Sequence, residues 1–181
     1  MNLWSGIGLA LLTVAAMEGV AYAGHRWIMH GPLWSLHKSH HEPRTGRLER
    51  NDWFGVMGAA VSIALFYMGV SLRMGDWITW IAIGITAYGA IYFSFHDVIV
   101  HRRIETGYVP RSRYMKRIVQ AHRLHHAVES KHGTVSFGFV YAPPIPALKR
   151  QLEVNVRDHG ARLRARSPRP PSLSAREWGI R

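Results

Sequence analysis

The chain has 181 residues, a formal charge of +12 and no cysteine. Without thiols there are no disulfides, thiolate zinc sites, cysteine-held iron–sulfur clusters or cysteine nucleophiles, so histidine and carboxylate must carry any metal or acid–base chemistry, and nothing requires a second domain. Such a charge ordinarily raises nucleic acid as a partner, but here the basic residues flank long uncharged apolar stretches, which points to a membrane and away from nucleic acid.

The first apolar stretch, residues 3–23, is close to the ~20 residues that cross a bilayer core as a helix. It ends in Ala21, Tyr22 and Ala23, as a signal-peptidase site does, yet no basic residue precedes it, so it is expected to stay as an uncleaved span. Glu18 lies inside this span, seven residues before His25 and on nearly the same helical face. Intramembrane acids usually face the protein interior. Glu18 is therefore expected either to line a path for substrate or protons or to be a hydrogen-bonded structural residue, with Tyr22 as the candidate partner.

Two histidine groups follow, HRWIMH from His25 and HKSHH from His37. Residues 54–72 and 77–95 form two further apolar stretches, joined only by Arg73, Met74, Gly75 and Asp76, which predicts a tight helical hairpin. A chain this small has no shell in which to bury three such helices away from water. The third stretch runs into HDVIVH, which ends at His101, and HRLHH follows from His122. Tyr88, Tyr92 and Ser94, within or at the end of that stretch, are read as ordinary packing residues.

Residues 102–120 mix Arg and Lys with Ile104, Tyr108, Tyr114, Met115, Ile118 and Val119, the composition of an interfacial segment meeting anionic lipid headgroups. Residues 134–148 are apolar but broken by Pro143, Pro144 and Pro146, which predicts a re-entrant or interfacial segment in place of a fourth span. After Lys149 the sequence becomes arginine-rich, with Pro168, Pro170 and Pro171, and is expected to form a flexible tail; the division is a domain of 1–160 and a basic tail of 161–181.

Ten of the twelve histidines thus fall into an alternating pattern, a five-residue spacing followed by a three-histidine box, repeated twice. On a helix at 100° per residue, His37, His40 and His41 share an arc of about 100°, as do His122, His125 and His126. His25 and His30, or His96 and His101, are separated by about 140° on an α-helix and need a helix end, a local unwinding, or a metal site approached from two sides. A single ion takes about four such donors, so ten imply two adjacent ions, each with several imidazoles and an open position. Glu18 and Asp97 are assigned to the catalytic site. Asp97, Asp52, Glu42 and Glu129, beside the histidine clusters or on their flanks, are candidates to accept their outer N–H groups. His132 and His159 lie outside the pattern and are not expected to be ligands.

The basic residues Arg26, Lys38, Arg44, Arg47, Arg50, Arg102 and Arg103 fall on one side of the predicted spans and Arg73 on the other. The positive-inside rule then puts the histidine-bearing side in the cytoplasm, with the protein in the inner membrane, and brings all four histidine groups to one face.

HRWIMHGPLWSLHKSHHEPRTG from His25, NDWF from Asn51, FHDVIVHRR from Phe95 and AHRLHHAVESKHGTVSFGFVYAPP from Ala121 together resemble the membrane-bound di-iron hydroxylases and desaturases, and within them the bacterial β-carotene hydroxylases. The resemblance covers about residues 1–160 and every clustered histidine; His132 stands where an acidic or small residue is expected. It implies an all-α integral membrane protein with a cytoplasmic di-iron site. It also implies O2 as co-substrate, a ferredoxin-type electron donor, and hydroxylation of the β-ionone rings of β-carotene at carbon 3, giving β-cryptoxanthin and then zeaxanthin. Action on ketocarotenoids towards astaxanthin is implied similarly. Competing readings are fatty acid or sterol hydroxylation or desaturation, carotenoid ketolation, and metal binding without catalysis.

Overall fold

The structure is a computed structural model that describes residues 1–44 and 46–166, and every regular element in it is helical. Three long apolar helices have the length and composition to cross a membrane: Leu3–Met29, Asp52–Ser71 and Asp76–Val100. Each is an α-helix continued by a wider π-helical stretch. α1 (Leu3–Ala23) runs into Gly24–Met29, α3 (Asp52–Phe66) into Tyr67–Ser71, and α4 (Asp76–Tyr92) into Phe93–Val100. Between the first two lies the short α2 (Trp34–His41); after the third come α5 (Arg113–His125) and α6 (Ile145–Arg166).

α1 is apolar all round, as a helix surrounded by lipid should be. The Asn2 side chain caps it, accepting the Ser5 N–H at 2.9 Å. α4 packs against both α1 and α3. Gly6 meets Trp80, Gly84 meets Thr13, and Glu18 meets Tyr88, so α1 and α4 run parallel, with α3 returning between their directions. A Cβ on Gly84 would lie 2.7 Å from the Ala10 carbonyl oxygen, so the two helices approach closely only because that position carries no side chain. Gly75, at φ 133°, opens α4 after a turn that also holds Arg73 in the left-handed region. The membrane hairpin and the all-helical class are therefore as the sequence predicts.

α5 is amphipathic. Met115, Ile118, Val119, His122 and His125 are buried at helical spacing, and the Ser112 hydroxyl caps the first turn by accepting the Met115 N–H at 3.1 Å. Ile118 and Ala121 join Val135, Ala142 and Leu148 in the apolar core, packed on by Phe95, Val100 and Leu152. Burying Leu148 alone contributes about 2 kcal/mol.

In 102–120, Met115, Ile118 and Val119 turn into the core, while Ile104 and Tyr108 stay exposed. One expectation needs correction. The arginine-rich sequence after Lys149 is not a tail from that point, because α6 continues to Arg166; Leu148 and Leu152, one helical turn apart, anchor its start on α5 and the core. The remainder of the expected tail, 167–181, lies outside the described residues. The apolar segment before α6 is irregular and reaches along α1 to Glu18, the behaviour of a re-entrant loop, and it is not a span.

Candidate metal centre

All ten clustered histidines meet at one end of the helical bundle. The π-helical turns explain the five-residue spacing. His30 N–H donates to the His25 carbonyl at 3.0 Å and His101 N–H to the His96 carbonyl at 2.9 Å, the i to i+5 bond that stacks residues five apart on one face. Of the three ways sequence left open, local unwinding is the one used. α2 and α5 carry their boxes on the last turns of a helix, but neither box serves one point: each divides between two groups of donors.

The donor atoms sort into two groups of four: His25, His30, His37 and His125, and His40, His101, His122 and His126. Within each, one ligand atom per residue lies within 4.8 Å of the others. One ion with bonds of ~2.1 Å needs its donors no more than ~4.2 Å apart, so a small contraction closes either set around a metal. His41 and His96 stand beside these groups, His41 Nε2 at 3.2 Å from His125 Nε2 and His96 Nε2 at 3.0 Å from His40 Nε2.

The outer ring nitrogens show which way the imidazoles are set. Nδ1 donates to the carbonyl of Phe137 from His25 (2.9 Å), of Lys131 from His30 (3.0 Å), of Val128 from His41 (3.0 Å) and of Val135 from His125 (3.0 Å). His37 Nδ1 pairs with Asn51 Oδ1 at 2.7 Å and His40 Nδ1 with Glu49 Oε2 at 3.0 Å. A carbonyl only accepts, so each of these Nδ1 atoms carries the proton and Nε2 is left with a bare lone pair. Yet His125 Nε2 faces the Nε2 atoms of both His30 and His41 at 3.2 Å. Neither contact is then a hydrogen bond. Two lone pairs at that distance repel unless a cation lies between them, and the spacing matches the ~3.0 Å edge between adjacent donors on one ion. The donor set fits a pair of imidazole-loving transition ions, iron among them.

Outside the spans, burial keeps the imidazoles neutral, as ligation requires. It pulls His37 and His101 down to about 3, His41 to about 4 and His126 to about 2, with neighbouring histidines adding to the effect. Arg103 joins the two halves: it grips Asp52 in a two-pronged pair at 2.6 and 2.7 Å and Asp97 at 2.8 Å, which ties the start of α3 to the end of the third span.

Several expected outer partners are placed differently. Asp52 touches Arg103 and no histidine, and Asp97 Oδ2 is 3.6 Å from His96 Nδ1, beyond hydrogen-bond reach. Glu42 pairs with Lys38 at 3.0 Å on the surface, and Glu129 is exposed. Glu49 and Asn51 take the role instead. The signal for them was a carboxylate and an amide just before the start of a span, in the connection that follows a histidine box. His132 is exposed and outside the site, its ring 6.4 Å from that of His159.

Glu18 is more heavily engaged than the sequence suggests. Its Oε1 accepts the backbone N–H groups of Phe139, Val140 and Tyr141 at 2.9, 3.1 and 3.1 Å, and its Oε2 accepts the Tyr88 hydroxyl at 2.8 Å. Tyr22 is not its partner: that hydroxyl accepts from Arg26 at 2.6 Å. Glu18 thereby pins the irregular segment whose Val135 and Phe137 carbonyls orient His125 and His25, and whose Phe139 ring stacks on His25 at 5.1 Å. Backbone without regular structure is tolerated at this depth because its polar groups are paired inside the protein.

Among known proteins, the profile of the family described as "Fatty acid hydroxylase" matches residues 10–143. A "Beta-carotene hydroxylase" of Paracoccus sp. is 50% identical over 148 residues, 81% of this chain and 90% of that protein. A protein of the same name from Pantoea ananas is 48% identical over 164 residues, 90% of each chain. The "Beta-carotene 3-hydroxylase 2, chloroplastic" of Arabidopsis thaliana is 33% identical over 150 residues, 79% of this chain and 47% of that longer protein. No solved structure matches.

Proposed function

The chain belongs to the fatty acid hydroxylase family, and on that premise we propose that it is a β-carotene hydroxylase whose ten clustered histidines hold two iron ions. The observation that carries the metal assignment is the set of buried Nε2 lone pairs facing one another at 3.2 Å between imidazoles whose Nδ1 protons are committed to carbonyls. The substrate assignment rests on the relatives' names and high identity. The reaction is hydroxylation of the β-ionone rings at carbon 3, giving β-cryptoxanthin and then zeaxanthin, with ketocarotenoids as further substrates.

When bound, iron supplies O2 activation, with electrons from a ferredoxin-type donor. The chain's own residues do the rest. The imidazoles stay neutral through burial, their tautomers are held by the carbonyls of residues 128–137 and by Asn51 and Glu49, and the buried setting keeps bulk water from the reacting centre. Glu18 and Asp97 act as positioning residues, Glu18 through the segment over His25 and Asp97 through Arg103. The carotenoid, soluble in the bilayer, approaches from the membrane.

Expressed in a host that accumulates β-carotene, the chain should convert it to β-cryptoxanthin and zeaxanthin, identified by chromatography. Unchanged β-carotene alongside hydroxylated fatty acids or sterols, or a ring ketone as the product, would move the assignment to another lipid or another chemistry.

The basic residues support an inner-membrane protein with its histidines on the cytoplasmic side. A reporter fused after Leu72 should read as outside and one after His126 as cytoplasmic. The reverse pair of results would overturn this orientation.

A further inference from the structure

A cavity of about 710 Å³ borders the metal centre at His30, between the end of the first span, the irregular segment and α6. Its lining runs from Glu18 and Gly19, within the first span, to Lys131 and His132, after α5. Glu18 is committed to the four donors described above, three on Oε1 and one on Oε2. At the polar end stand two cations, Arg26 and Lys131, and neither has a carboxylate partner among the described residues. Arg26 is held in place: its guanidinium donates to Tyr22 and lies 5.9 Å from the Trp27 ring and 5.6 Å from the Phe137 ring. The cavity wall also contains Ser136, 9% exposed, whose hydroxyl has no hydrogen-bond partner and whose φ of 60° is one that L-residues seldom adopt.

A lining that includes the apolar Val135, Phe137, Pro143 and Leu148, two cations without a carboxylate partner, and a position beside the end of a membrane span describe a site for an amphiphile with an anionic head. A carotenoid is neutral and gives the cations nothing to bind. We infer that this cavity binds an anionic phospholipid, with the phosphate met by Arg26 and Lys131. The site is built into the metal centre's support, because the Lys131, Val135 and Phe137 carbonyls that orient His30, His125 and His25 belong to the same wall. A bound lipid therefore steadies the wall, and the protein is more stable with it than without.

The test does not use hydroxylation and is independent of which lipid is oxidised. The full chain is reconstituted in vesicles of phosphatidylcholine, with and without phosphatidylglycerol, and its thermal unfolding is followed, while native mass spectrometry counts retained lipid. Phosphatidylglycerol should raise the melting temperature by roughly 5 °C and one molecule should be retained. The double variant R26Q/K131Q should lose both effects, whereas K149Q/R150Q, which removes the same charge from the exposed face of α6, should keep them. The single variants R26Q and K131Q, each expected to lose part of the shift, serve if the double variant does not fold. Equal stabilisation of both double variants would mean surface electrostatics alone. Absence of any shift, a shift reproduced by inorganic phosphate in phosphatidylcholine vesicles, or undiminished retention in the single variants would equally overturn the site.

Discussion

Alanine in place of His125 should empty a metal position and lower hydroxylation by at least ~100-fold, a loss larger than the 10- to 100-fold typical of removing a ligand's outer partner. His125 is fully buried, and its Nε2 is the point at which His30 and His41 converge. Removing it deletes one donor of four and leaves the Val135 carbonyl without its partner. His40 occupies the corresponding place in the other group, in reach of His96 and held by Glu49, and H40A should be as damaging. The other eight clustered histidines should also be required. H132A and H159A should retain most activity, because those residues lie away from both groups. The measurements are iron per protein by elemental analysis and zeaxanthin yield in β-carotene-producing cells, each corrected for protein level. Normal iron content and yield in H125A or H40A would remove the two-metal assignment.

The spans and the histidine pattern were legible because each is written in side chains: a run of apolar residues of bilayer length, and imidazoles at spacings that select a helix face. Even the unwinding at His25 to His30 was among the predicted alternatives, since no α-helix brings residues five apart onto one face. What sequence hid was the second layer of the site. Four of the outer acceptors are backbone carbonyls, from Val128, Lys131, Val135 and Phe137, and a carbonyl has no residue signature. Tyr22 looked like the partner of Glu18 because it is one turn away on the same helix; Tyr88 prevails because α4 packs parallel to α1 and brings its hydroxyl across. Asp97 adjoins a histidine in sequence and Asp52 lies on the flank of a box, but a guanidinium competes for carboxylates better than a neutral imidazole does, and Arg103 pairs with both.

The same hidden layer decides what loss of Glu18 should do. Sequence alone allowed a proton or substrate path, for which E18Q would bind iron normally and turn over poorly. The structure gives the carboxylate four donors to satisfy, three of them consecutive backbone N–H groups. The fit is tight, since a Cβ on Gly138 would come within 2.9 Å of Oε1. E18A strands those donors in a half-buried setting and should destabilise the protein by about 3 kcal/mol. E18Q keeps one carbonyl oxygen for the three N–H groups and turns its amide towards the Tyr88 oxygen, so it forfeits mainly the strength that charge adds, about 1 kcal/mol. The freed segment carries the acceptors of His25 and His125, so iron retention should fall in the same order, modestly in E18Q and severely in E18A, with hydroxylation falling in step with iron. A proton-delivery role predicts the opposite signature: both variants would retain iron fully and lose turnover alike, because neither side chain carries an ionisable group. Iron content measured beside product yield across the two variants separates the cases, and full iron with equal loss of turnover would return Glu18 to the reaction itself.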